Sequence, residues 1–152
     1  MKTLIIYKSV HHKNTEKVAR AMAEVLGARL AQPEEVDPAA LAEYDLIGFG
    51  SGIYFSRHHK TIRAFIDRLP AMSKDAFVFS TSGATGDHSG PLIAKLKGKG
   101  LNVKGTFACT GFDTFGPFRL IGGLQRGHPD EKDLADARAF ANGLLKQAPE
   151  AQ

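Results

Sequence analysis

Tryptophan is absent from the 152 residues, and cysteine occurs once, at Cys109. A lone cysteine excludes an internal disulfide, and with no further cysteine or paired histidine at ligand spacing it makes no structural zinc site. Cys109 is instead expected to be a buried strand residue. Aromatic residues make up 9% of the chain, so any ring stacking must come from Phe and Tyr. Long apolar runs are missing too: none approaches the about 18 residues that a membrane span needs. Met1-Lys2-Thr3 leads straight into an apolar run rather than a signal peptide, which predicts a soluble, cytoplasmic protein. No excess of one charge stands out either. Lys and Arg number 20 against 16 Asp and Glu, a formal +4 spread along the chain, with a pI near 9.3. This balance weakly favours an anionic ligand or partner, and no nucleic-acid-binding motif accompanies it.

What is present suits a packed core. At 43% hydrophobic, with no linker, repeat or low-complexity segment, residues 1–152 read as one domain. Short runs rich in Ile, Val and Phe at 3–8, 44–50, 76–82 and 103–110 predict strands too apolar to leave one face in water, with a weaker strand at 28–32. Helical periods lie between them at 15–27, 58–69, 90–99 and 131–147. In the first, Val18, Met22, Val25 and Leu26 share one stripe, and Asp37-Pro38 starts a helical turn. Alternating strands and helices imply a parallel sheet covered on both faces with right-handed crossovers. Five such strands suit the doubly wound order 2-1-3-4-5, a three-layer α/β sandwich with a crevice beyond the carboxyl ends of strands one and three.

The loops at that crevice carry the chemistry. Leu4 to Lys8 runs into Ser9-Val10-His11-His12-Lys13-Asn14-Thr15 and then a helix. A strand that ends where a helix begins aims the helix's free N–H groups and its positive dipole end at the bend, an arrangement that holds phosphate. Ser9, Asn14 and Thr15 add side-chain donors. Asn14 or Thr15 equally suits a plain N-cap. The other loops are Gly50-Ser51-Gly52-Ile53-Tyr54-Phe55, then Ser80-Thr81-Ser82-Gly83-Ala84-Thr85-Gly86, and a long segment from Gly111 to Pro129.

With these three strand-end loops in place, the sequence resembles the flavodoxin family over essentially its full length, on Ser9 to Thr15, on Tyr44 to Tyr54 and on the Ser/Thr/Gly loop after the fourth strand. The resemblance implies a flavodoxin-like fold and a bound flavin mononucleotide (FMN). Its phosphate would lie on Ser9, Lys13, Asn14 and Thr15, with His11 and His12 beside it. Its isoalloxazine ring would sit between Ser51, Gly52, Ile53, Tyr54 and Phe55 on one side and Thr81, Ser82, Gly83 and Ala84 on the other. His11-His12-Lys13 stands where the family commonly has Thr-Gly before the Asn/Thr pair, and the basic pI contrasts with the acidity typical of electron-carrying flavodoxins. The segment Gly50 to His59 also looks like the ring loop of bacterial flavin-dependent protoporphyrinogen oxidases of the same fold.

Tyr54 and Phe55 are the stacking candidates, offset stacking adding about 0.5–1.5 kcal/mol beyond area burial. Phe112 and Phe115 are expected to close over the ring, the alternatives being a satellite cluster on their own domain or a subunit interface. Among the histidines, His58 is a conceivable proton donor, although solvated loop positions are commoner; adjacent histidines rarely share one ion, so no metal site is expected. Lys95, Lys97 and Lys99 read as a solvated helix end. The expected function is FMN-dependent electron transfer, the alternatives being an oxidoreductase on a porphyrinogen or quinone and a flavin-free binding module. The partner is then a redox protein or a small electron donor or acceptor, and a homo-oligomer stays open.

Overall fold

The computed structural model describes residues 1–9, 14–82, 88–110 and 129–147. Strand β1 (Thr3–Lys8) leads to helix α1 (Asn14–Leu26) and the short β2 (Arg29–Ala31). Two 3₁₀ turns, Pro33–Glu35 and Pro38–Glu43, precede β3 (Leu46–Tyr54) and β4 (Arg57–His58). Then come α2 (Lys60–Asp67), β5 (Asp75–Ser82), α3 (Gly90–Gly98), β6 (Asn102–Thr110) and α4 (Glu131–Gln147). The sheet order is β2-β1-β3-β5-β6, all parallel, with β4 antiparallel on β3. The five parallel strands therefore stand in the order 2-1-3-4-5 expected from the sequence.

Side-chain alternation divides the core between two faces. Leu4 and Ile6 of β1, Ile47 and Phe49 of β3, and Ala76 and Val78 of β5 pack against Ile62, Phe65 and Ile66 of α2 and Leu92 and Leu96 of α3. Their neighbours Ile5, Tyr7, Leu46, Phe77 and Phe79 turn the other way, onto Val18, Met22 and Leu26 of α1 and Ala137, Ala141 and Leu144 of α4. The stripe on α1 that periodicity picked out is thus its buried face, with Val25 at the edge. Gly27, at φ +62°, ends that helix in the left-handed region.

Two glycines of β3 are required by the rings beside them. A Cβ on Gly48 would land inside the ring of Phe77, and one on Gly50 inside the ring of Phe79. Both rings are fully buried and stacked at 6.2 Å between centroids. These glycines let β3 lie under the aromatic layer of β5.

The structure corrects several expectations. Ser51 to Tyr54, read as loop, continues β3: Ser51 and Gly52 pair with Ser80 and Thr81, and then Ile53 and Tyr54 pair antiparallel with His58 and Arg57. The predicted helix at 58–69 consequently starts later, because His58 belongs to β4 and His59 is the N-cap of α2. Lys95 and Lys99 are not simply a solvated helix end. Lys95 pairs with the Asp67 carboxylate at 2.6 Å and Lys99 donates to the Asp67 carbonyl at 3.0 Å, tying α3 to the end of α2. Cys109 is half-buried on β6 rather than fully enclosed. The long segment from Gly111, including Phe112 and Phe115, lies outside the described residues.

Candidate functional site

The carboxyl ends of β1, β3 and β5 stand side by side, and α1 begins next to them. Asn14 and Thr15 are the first residues of α1 rather than its cap, and both are buried. Ser9 takes over part of the capping, its Oγ accepting from the Glu16 amide at 3.3 Å. Glu16, the acidic residue in this first turn, is drawn aside: its Oε1 accepts from the Tyr7 hydroxyl at 3.1 Å and from Arg20 at 3.3 Å. Burial, with the neighbouring Glu16 adding to it, pushes the Tyr7 phenol above its ordinary value, so Tyr7 stays a donor. The Glu16 carboxylate is thereby engaged by Tyr7 and Arg20.

Thr15 and Thr81 join α1 to β5 through a hydroxyl–hydroxyl bond of 2.9 Å, both side chains being almost fully enclosed. Removing one hydroxyl strands the other. Thr81→Val is expected to cost about 1–3 kcal/mol in urea denaturation, whereas the Thr15→Val/Thr81→Val double variant should recover most of that loss. A double variant no more stable than the single would show that the bond is not what holds the pair.

On β3, the Ser51 hydroxyl donates to the Gly52 carbonyl at 2.6 Å and accepts from the His59 amide at 2.8 Å. Its chemistry is spent on fastening the start of α2 to the hairpin. Gly52 lies beneath the Tyr54 side chain, whose hydroxyl would meet an added Cβ at 3.2 Å. Tyr54 also meets the His59 ring edge-on, at 5.4 Å and 87°. Ile53 is half-buried, and Ser82 closes β5 opposite Thr110. The chain turns from β3 to β4 at Phe55 and Ser56, both with positive φ, 52° and 64°. Two central residues of positive φ between paired strands are the mark of a primed hairpin turn, normally built from Asn and Gly. Phe55 stands 90% exposed at its tip.

His58 carries a role that sequence reasoning gave only as a proton donor. It is buried, and its Nε2–H donates to the Phe79 carbonyl at 2.9 Å, stitching β4 to β5. The Nδ1 of its neighbour His59 accepts from the Thr61 amide at 3.1 Å and lies 2.9 Å from the Thr61 hydroxyl. Burial, then Lys8 and Lys60, hold the His59 pKa below its ordinary 6.5. Just under that value the unfolded chain binds more protons than the folded one, so this contribution to stability is complete above 6.5 and lost as the pH falls. Wild type should therefore lose denaturant resistance between about pH 7 and about pH 5.5 that His59→Asn, a non-titrating N-cap, retains. Parallel pH profiles of the two proteins would refute this.

Cys109 offers no nucleophile here. Burial first, then Asp133, Asp130 and Asp136, pushes its thiol to about 12. Of the other residues picked out by sequence, Ser9, Asn14, Thr15, Gly52, Tyr54, Thr81 and Ser82 fall at the carboxyl end of the sheet. His11, His12, Lys13, Gly83 and Ala84 lie outside the described residues. No cluster of His, Cys, Asp or Glu suited to a metal ion, and no helix long and apolar enough to cross a membrane, is found among the described residues.

Strand order, helix placement and a helix N-terminus at the strand ends define a doubly wound α/β protein of flavodoxin-like architecture. The chain belongs to the flavodoxin domain family, which it matches over residues 4–111. An uncharacterized protein of Methanocaldococcus jannaschii is 48% identical over 149 residues, 96% of this chain and 99% of the relative. Among solved structures, a flavodoxin from the domain Archaea superposes with a TM-score of 0.72 at 19% identity, covering 97% of this chain and 98% of the other. Flavodoxin 2 from Bacillus cereus superposes at 0.74 and 20% identity, covering 97% and 100%. At these identities the solved structures share the fold.

Proposed function

We propose that this protein binds FMN at the carboxyl ends of β1, β3 and β5 and serves in electron transfer. The observation that carries the reading is the start of α1: its first turn sits beside Ser9, and its one acidic side chain is engaged by Tyr7 and Arg20. That donor set fits a phosphate. Ser9, Asn14 and the first-turn amides of α1 would hold it, with His11, His12 and Lys13 in the same loop. Gly52 and Ile53 would flank the ring on the β3 side, and Ser82, Gly83 and Ala84 on the β5 side. Thr15, Thr81 and Ser51 act as positioning residues, since their hydroxyls already fasten the loops together. Bound there, FMN supplies one- and two-electron chemistry that the polypeptide lacks.

The test is titration of FMN into the flavin-free protein, followed by quenching of flavin fluorescence, with riboflavin as the phosphate-free control. Tight FMN binding with weak riboflavin binding is the expected result. Failure of both to bind would leave a flavodoxin fold serving as a binding module. A second reading, an oxidoreductase acting on a small organic molecule, is favoured by one feature: a roomy cavity beside the hairpin.

A further inference from the structure

Between the β3–β4 hairpin and the first turn of α2 lies a cavity of about 640 Å³, with Tyr54, Phe55, Arg57, His59, Lys60 and Arg63 in its wall. No residue of β1, α1 or β5 lines it. Its volume is in the range of small-molecule sites. Three cations, Arg57, Lys60 and Arg63, converge on this one wall. Arg57, Lys60 and Arg63 make no ion pair with any described carboxylate; Arg63 only donates through Nε to the His58 carbonyl at 3.1 Å. Glu34, the acid that acts on His59, is itself engaged by Lys8 at 3.1 Å. Lys60 and Arg63 both act to lower the His59 pKa, as a positive potential in the cavity requires.

Three cations brought to one wall repel one another, and an anion relieves the arrangement. A bare inorganic anion accounts for the charge but not for the volume or the aromatic wall. A metal cation is excluded by the sign of the field. A neutral ring accounts for Tyr54 and Phe55 but leaves the cations without purpose. We propose that this cavity binds a small planar organic anion, its ring against Tyr54 and Phe55 and its carboxylate, sulfonate or phosphate group on Arg57, Lys60 and Arg63. That this molecule is also the electron donor or acceptor rests on the FMN reading; its binding does not.

The experiment measures binding of 2-naphthalenesulfonate by calorimetry, first to flavin-free protein and then with FMN at saturation. The comparison ligands are the uncharged 2-naphthalenesulfonamide, of nearly the same shape, and inorganic sulfate. The sulfonate should bind roughly tenfold more tightly than the sulfonamide. Arg57→Gln and Lys60→Gln should each weaken it about three- to tenfold, and Lys97→Gln on α3 should leave it unchanged. Added salt should weaken the sulfonate alone. The NMR titration of His59 should shift upward when the sulfonate is bound, which also reports on variants of altered stability. Equal affinity for the charged and uncharged ligands, indifference to both substitutions, or displacement by an equal concentration of sulfate would each overturn the proposal. So would displacement by FMN, which would assign the cavity to the flavin ring. Failure of FMN itself to bind would refute the flavin reading and leave the sulfonate result standing.

Discussion

Gly50→Ala should lower the thermal midpoint by roughly 2–12 °C, the span that an overpacking cost of about 1–3 kcal/mol implies for a chain of this size. The methyl group would enter the Phe79 ring, which is fully buried and stacked on Phe77, so neither ring has a vacant direction in which to move. Gly48→Ala meets Phe77 in the same way. Two controls separate this steric cause from a general intolerance of alanine. Gly143, inside α4, has no atom within 4 Å of an added Cβ, so Gly143→Ala should stabilise by about 0.5–1 kcal/mol through helix propensity. Phe79→Leu combined with Gly50→Ala should recover part of the loss. Additive losses in that pair, measured by scanning calorimetry, would refute a clash between the two positions.

Replacing Phe55-Ser56 by Asn-Gly should raise stability by roughly 1–3 kcal/mol, an increase most substitutions at a binding loop do not bring. Both residues hold positive φ, and a side chain with a Cβ is disfavoured there, most of all a bulky one. Asn and Gly are the residues that a primed two-residue turn favours. The burial cost of losing Phe55 is small, since it is 90% exposed. The same change removes an aromatic ring from the cavity wall and should weaken 2-naphthalenesulfonate binding while Arg57 and Lys60 remain. A denaturation midpoint that fails to rise would show that the hairpin holds Phe55 without cost. A rise in stability accompanied by weaker ligand binding marks a segment that gives up stability for its surface.

How far the sequence reveals this molecule differs from element to element. The order of the parallel strands was legible because their interior runs are apolar and the helical stripe Val18-Met22-Leu26 has a clear period. The β3–β4 hairpin was hidden for a physical reason: Phe55-Ser56 has none of the Asn or Gly that announces such a turn. The run Gly50-Ser51-Gly52 likewise imitates a loop, whereas its small residues make room for Phe79 and Tyr54 above the strand. In the site, Ser9 was recognisable from its place between strand and helix. The commitment of Ser51 to Gly52 and His59, and of Thr15 to Thr81, depends on partners up to 66 residues away and could not be read locally. The same holds for the cavity. Arg57, Lys60 and Arg63 look like ordinary surface charge in one dimension, and only the hairpin and the first turn of α2 bring them to one wall beside Tyr54 and Phe55.

Strand order also bears on how the chain is made. The first 54 residues contain β1, β2 and β3, which are immediate neighbours in the sheet. Each later parallel strand then joins the free side of the one before it, β5 on β3 and β6 on β5. A chain leaving the ribosome thus never waits for a distant segment in order to pair, and assembly follows synthesis from the amino end. The edge that β3 offers before β5 arrives carries Gly48, Gly50 and Gly52, a weak template for association with another nascent chain.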